Sequence, residues 1–138
     1  MTLKNTKGYV IIESVSDGDK LTQKCECSVY EKEDSIIVFY TETEESLAGD
    51  VKSNLKITDK AVNLVRRGTY NSNMWFEEGV ESGFRYNMPY GYIDMSLTTE
   101  KLVVKKNTDK IEISLEYNLF NGSDNTKNIM KITIEMGN

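Results

Sequence analysis

The chain has 138 residues, a length that fits one domain and is short for two. With 38% hydrophobic and 28% charged residues it has the balance of a folded soluble chain, which excludes a disordered one. The formal net charge is −5, with the basic residues spread along the sequence, and an acidic surface of this kind repels nucleic acid and anionic membranes.

Taken in chain order, the sequence is a series of short apolar or alternating runs separated by turns. Residues 9–14 form the first run, ended by Asp17-Gly18-Asp19, where glycine suits a tight hairpin. Residues 21–30 alternate, with Leu21, Gln23, Cys25, Cys27 and Val29 on one face and Thr22, Lys24, Glu26 and Ser28 on the other. Residues 36–41 are apolar on both parities, and the acidic stretch 42–49 reads as a solvated loop, with cation binding by Glu42, Glu44 and Glu45 as the alternative. Residues 51–58 alternate again, and 61–67 place Val62, Leu64 and Arg66 on one parity. Residues 73–78 set Met74 and Phe76 against Trp75 and Glu77. Residues 81–86 are short and lead to Pro89, which with Gly91 shapes a turn entering a strand. Residues 90–98 set Gly91, Ile93, Met95 and Leu97 against Tyr90, Tyr92, Asp94 and Ser96, and 102–104 continue the sheet. Residues 111–119 alternate cleanly, 121–127 read as a polar loop, and Met130, Ile132, Ile134 and Met136 mark the last run.

Alternation means one face buried and one face wet. About eight to ten such runs, joined by hairpin-length turns, predict an all-β fold, and closing the meander into an antiparallel barrel removes its exposed edges. The domain expected is a single barrel over residues 1–138. A barrel of about eight strands has an interior that side chains fill or that holds one small ligand. The apolar run at 9–12 is shorter than the roughly 7–15 residues of a secretory signal. No stretch reaches the roughly 20 apolar residues of a membrane-spanning helix, so the expected location is the cytoplasm.

The absence of histidine removes triad catalysis, histidine-ligated metals and an imidazole pH switch. The nine glycines match no phosphate-binding loop, and no cofactor or catalytic residue is predicted. The reading therefore leans away from an enzyme. Cys25 and Cys27 share a face at the edge of disulfide reach. They read as buried small hydrophobes, or as half of a metal site completed across a dimer.

Residues 62–97 hold the only Trp, the only Pro, four of the eight Tyr and all three arginines. Arg66 shares the parity of Val62 and Leu64 and so points inward near one end of the barrel. A buried guanidinium must be paired. It either grips a ligand's carboxylate or phosphate, with Tyr86 and Tyr90 as further ligand-binding candidates, or it bonds a carboxylate or loop carbonyls of the chain itself. Arg67, on the opposite parity, faces solvent. Trp75, Tyr90 and Tyr92 fall on the polar parity of their runs. They form a partner or homodimer interface, with Trp75 and Tyr92 as its candidates, or line a wet cavity, or pack under a loop.

The same residues carry a resemblance. Arg66-x-Gly68, Met74-x-Phe76-x-x-Gly79 and Tyr86-x-x-Pro89-Tyr90-Gly91 resemble the core signature of the YwiB-like family, small bacterial proteins of unknown function described as calycin-type barrels. The resemblance implies a lipocalin-like barrel and no established activity or site residue. Better-known calycin motifs are missing: Gly8-Tyr9-Val10 stands where lipocalins carry Gly-x-Trp, and the last strand lacks the Arg-x-Tyr of fatty-acid-binding barrels. The function expected first is non-enzymatic binding of a small molecule, anionic if Arg66 is at the site, and second a protein-interaction module or homodimer.

Overall fold

A computed structural model describes residues 4–42 and 50–137. They form ten strands: β1 (Lys4–Ser16), β2 (Asp19–Glu31), β3 (Ile36–Glu42), β4 (Val51–Ile57), β5 (Ala61–Gly68), β6 (Ser72–Glu77), β7 (Glu81–Met88), β8 (Gly91–Lys106), β9 (Lys110–Phe120) and β10 (Asn125–Met136). All ten lie in one sheet in the order β6-β5-β4-β3-β2-β1-β10-β9-β8-β7. Each of its ladders is antiparallel, which gives the expected meander. Strand β8 fuses the runs at 90–98 and 102–104 across an irregularity between Thr99 and Lys101. Strand β10 begins at Asn125, inside the stretch read as a loop. The loop is shorter than expected because the Asn121 side chain closes it, accepting the N–H groups of Ser123 and Asp124 at 3.0 and 2.8 Å.

The first strand pairs with the last. Gly8 to Ser16 face Met136 to Asn128, and the ladder closes the sheet on that side. Gly8 is needed there, since any Cβ would run into the Glu135 carbonyl oxygen. On the opposite side, β6 and β7 are consecutive in the chain yet share no ladder. Backbone hydrogen bonds tie this hairpin only near its two ends. Asn71 and Asn87 exchange both backbone hydrogen bonds, at 3.0 and 2.9 Å. At the other end a turn returns the Val80 N–H to the Glu77 carbonyl at 3.0 Å, and Gly79 N–H donates to the Thr99 carbonyl of β8 at 2.8 Å. The barrel is therefore nearly closed, with a lens-shaped gap between β6 and β7.

Inward parity sets the core. Val38, Leu55, Leu64 and Phe76 meet Leu97, Ile113, Leu115 and Ile132, all buried. The rings of Phe76 and Tyr117 meet edge-on, 5.0 Å between centroids. Large side chains fill the barrel through these layers, as the filled alternative for a small barrel requires. Among the described residues no helix is long and apolar enough to cross a membrane.

Replacing Gly8 with valine forces β1 away from β10. Urea unfolding of Gly8→Val is expected to show a loss of about 1–3 kcal/mol, the usual cost of overpacking. Unchanged stability would mean that this contact does not constrain the closure.

Candidate functional site

Above the apolar layers lies a polar row that follows the ladder register across four strands. Tyr40 of β3 faces Ser53 of β4, Ser53 faces Arg66 of β5, and Arg66 faces Ser72 of β6. Arg66 points inward, as its parity requires, and its partner is Glu42. Arg66 Nη2 donates to Glu42 Oε1 at 3.2 Å, and Nε lies 3.2 Å from Oε2 but off line for a hydrogen bond. The second carboxylate oxygen also accepts the Ser53 hydroxyl at 2.8 Å. The Glu42 side chain is 5% exposed and that of Arg66 25%. The solvated-loop reading of Glu42 is corrected: it is the last residue of β3 and continues the inward parity of Ile36, Val38 and Tyr40. Glu44 and Glu45 lie outside the described residues.

This pair caps the core. An arginine so placed needs a carboxylate, because an unpaired buried charge is far costlier than a satisfied pair. Tyrosines surround it. Burial pushes the Tyr117 hydroxyl up to about 12 against the pull of the Arg66 charge. Burial, followed by the Glu42 charge, raises Tyr40 as well. Tyr86 is half-buried on the inner side of β7, its ring edge-on to Tyr70 at 5.9 Å, and burial raises its hydroxyl while Arg66 opposes the shift. Among the described residues the buried Tyr40 hydroxyl and Ser72 Oγ find no hydrogen-bond partner.

Strand separation turns the β6–β7 gap into a groove of about 600 Å³. Arg66 and Ser72 reach its floor with Phe84, while Arg67, Asn73 and Trp75 stand on the β6 side and Arg85 on the β7 side. All three arginines of the chain line it, and among the described residues no carboxylate does. Arg66 is neutralised by Glu42. Arg85 is held by Asp94, with Nε to Oδ1 at 2.7 Å and Nη2 to Oδ2 at 3.2 Å, and its guanidinium lies 3.9 Å from the centre of the Tyr92 ring. Those hydrogen bonds hold Asp94 below its ordinary value and Arg85 above. Among the described residues Arg67 makes no ion pair, so it supplies the uncompensated charge. Backbone groups add to the lining. Asn71 aims its N–H and C=O at β7, and antiparallel alternation directs those of Asn73 and Trp75 the same way. The Trp75 carbonyl accepts the Ser82 hydroxyl at 3.2 Å.

The structure brings Arg66 and Trp75 to one groove and sets Tyr86 beside its floor. Tyr90 sits in the β7–β8 turn, 82% exposed, and Tyr92 faces outward, so neither lines the groove. Sequence reasoning missed Glu42, whose parity was the available signal, Arg67, which it set facing solvent, and Arg85 and Gly83, which only the strand separation exposes.

A second groove, about 750 Å³, opens where β2 and β3 diverge beyond Cys27 and Tyr40. It too is cationic, with Lys7, Lys24 and Lys52 in its lining against Glu26. Lys7 donates to Ser28 Oγ at 2.6 Å, Lys24 lies over the Tyr9 ring, and Glu26 stands in the wall. Cys25 and Cys27 form no disulfide. Burial, and then Cys25, push the Cys27 thiol up to about 11, which keeps it protonated and a poor metal ligand at neutral pH. Among the described residues no cluster of three or more acidic or cysteine side chains is placed to hold a metal.

Fold and site together define an up-and-down antiparallel barrel, packed inside and incomplete at one seam. The chain belongs to the family described as a domain of unknown function, DUF1934, which matches residues 6–134. It is 26% identical over 109 residues to the uncharacterized beta-barrel protein YwiB of Bacillus subtilis (strain 168), covering 78% of this chain and 75% of that protein. The crystal structure of the ywiB protein from Bacillus subtilis superposes with a TM-score of 0.86 at 25% identity, over 99% of this chain and 96% of that one.

Two outcomes follow from the polar row. Arg66→Met leaves Glu42 buried without its cation and is expected to cost about 3–5 kcal/mol in urea unfolding, most of it recovered when Glu42→Leu is added. A single variant as stable as the parent would remove the pair from its capping role. Tyr117 ionises in the unfolded chain at about 10 and in the fold at about 12, so the fold favours its neutral form. The stability this contributes is present in full below pH 10 and lost as pH rises toward 12, and alkaline unfolding should be shallower in Tyr117→Phe.

Proposed function

We propose that this chain is a non-enzymatic binding barrel for a small anionic molecule, held in the groove between β6 and β7. The observation that carries the reading is the lining: three arginines and, among the described residues, no carboxylate, in a chain of net charge −5. Glu42 and Asp94 neutralise two of the arginines, and the one charge left over draws an anion toward the groove. Arg66 and Arg85 are already paired, so they offer directed N–H groups, and Arg67 offers the net charge. The gap is closed at both ends, by the Asn71–Asn87 bridge and by the Glu77–Val80 turn, which favours a small molecule over a through-running peptide strand. Among the described residues the lining contains no side chain suited to general-base work at neutral pH, which supports binding over catalysis. The overall charge favours a cytoplasmic protein without nucleic-acid or membrane partners. We also read the barrel as a calycin-type scaffold.

Tyr90 and Tyr92, both exposed, support a second reading, self-association through the β7–β8 end. Sedimentation at rising protein concentration tests it, and a persistent monomer argues against it.

For the first reading, simple carboxylates and phosphates are titrated against the protein while the fluorescence of Trp75, the only tryptophan, reports on the groove. Saturable binding is expected, weakened roughly tenfold or more in Arg67→Ala, as loss of a charge-assisted hydrogen bond implies. The reading is abandoned if no anion saturates, or if Arg67→Ala binds as the parent does.

A further inference from the structure

We infer that the anion carries a flat aromatic ring, which enters a slot between Trp75 and Gly83; this rests on the groove reading above. Counting back along the two strands from the Asn71–Asn87 bridge sets Gly83 opposite Trp75, and both line the groove. Trp75 is outward, 41% exposed, and its indole N–H donates to Glu77 Oε1 at 3.0 Å. That bond pins the ring in place and leaves it bordering the groove.

Gly83 has none of the ordinary reasons to be glycine. The positive-φ glycines are Gly18, Gly68, Gly79, Gly91 and Gly122, and Gly83 is not among them. Nor is the site crowded, because a Cβ there meets nothing closer than the Met95 carbonyl oxygen at 3.8 Å. A glycine weakens a strand, and one without a conformational need leaves room for a ligand to approach the backbone closely. Here the open space faces an indole. Val65 and Phe84 supply apolar ground beside it, and Arg67 and Arg85 stand at the rim. A ring stacked on Trp75 over Gly83 brings its own carboxylate or phosphate to those guanidinium groups.

Calorimetric titration of the full chain tests the slot, using benzoate and phenyl phosphate against acetate and inorganic phosphate. The ring-bearing anions are expected to bind roughly tenfold tighter than their ring-free partners, the size of one aromatic stack. Gly83→Leu fills the slot and should erase that preference. Trp75→Leu should erase it by removing the stacking surface, which guards against a folding defect in either variant alone. Equal affinities in the parent protein, or a preference that survives both variants, would overturn the slot and leave the anion groove standing. If none of the four anions binds, the groove reading falls and the slot with it.

Discussion

Pairing the first strand with the last fixes where this sheet can be incomplete. A ten-stranded meander has two free edges, and an edge exposes a row of unpaired N–H and C=O groups. The β1–β10 ladder consumes the chain's outer strands, so the free edges fall in mid-sequence, on β6 and β7. Gly8 permits that ladder by letting β1 approach the Glu135 carbonyl. The groove is thus a product of closure elsewhere. Its two sides belong to one hairpin that is tied at its turn and at Asn71–Asn87 and parted between.

The interior is graded. Branched aliphatic and aromatic side chains fill it up to the row of Val38, Leu55, Leu64 and Met74, and the next row, from Tyr40 to Ser72, ends the apolar part. Glu42 and Arg66 neutralise one another at that boundary, where burying either alone would be costly. Arg66 belongs to both regions, because the guanidinium that satisfies Glu42 also reaches the groove floor. The cap of the core and the candidate site share one side chain.

Much of the fold was legible because strand periodicity is a local signal. Residues 111–119 alternate without a break and form β9, and Asp17-Gly18 forms the tight turn between β1 and β2, with both residues at positive φ. The inward parity of Arg66 was legible for the same reason. Its partner was not, since an acidic run reads as solvated unless the parity of Ile36, Val38 and Tyr40 is carried one step further to Glu42. The groove was illegible on stronger grounds. Glu78 and Gly79 form an ordinary short turn, and no local pattern reveals that the strands it joins fail to pair. Arg85 and Gly83 read as members of a short strand, and their setting depends on a separation that the whole barrel imposes.

The β1–β10 ladder has a kinetic consequence. Every other ladder joins strands that are neighbours in the chain, so each forms by closing a short loop. The exception must bring together segments about a hundred residues apart, and loop-closure entropy together with contact order makes such a pairing slow. A circularly permuted chain that links β10 to β1 and opens between Glu78 and Gly79 would keep every ladder and make all of them local. It would run β7 through β10 and then β1 through β6 in the order in which they lie in the sheet. In that chain the final long-range search disappears, and the barrel folds by adding one hairpin to the next.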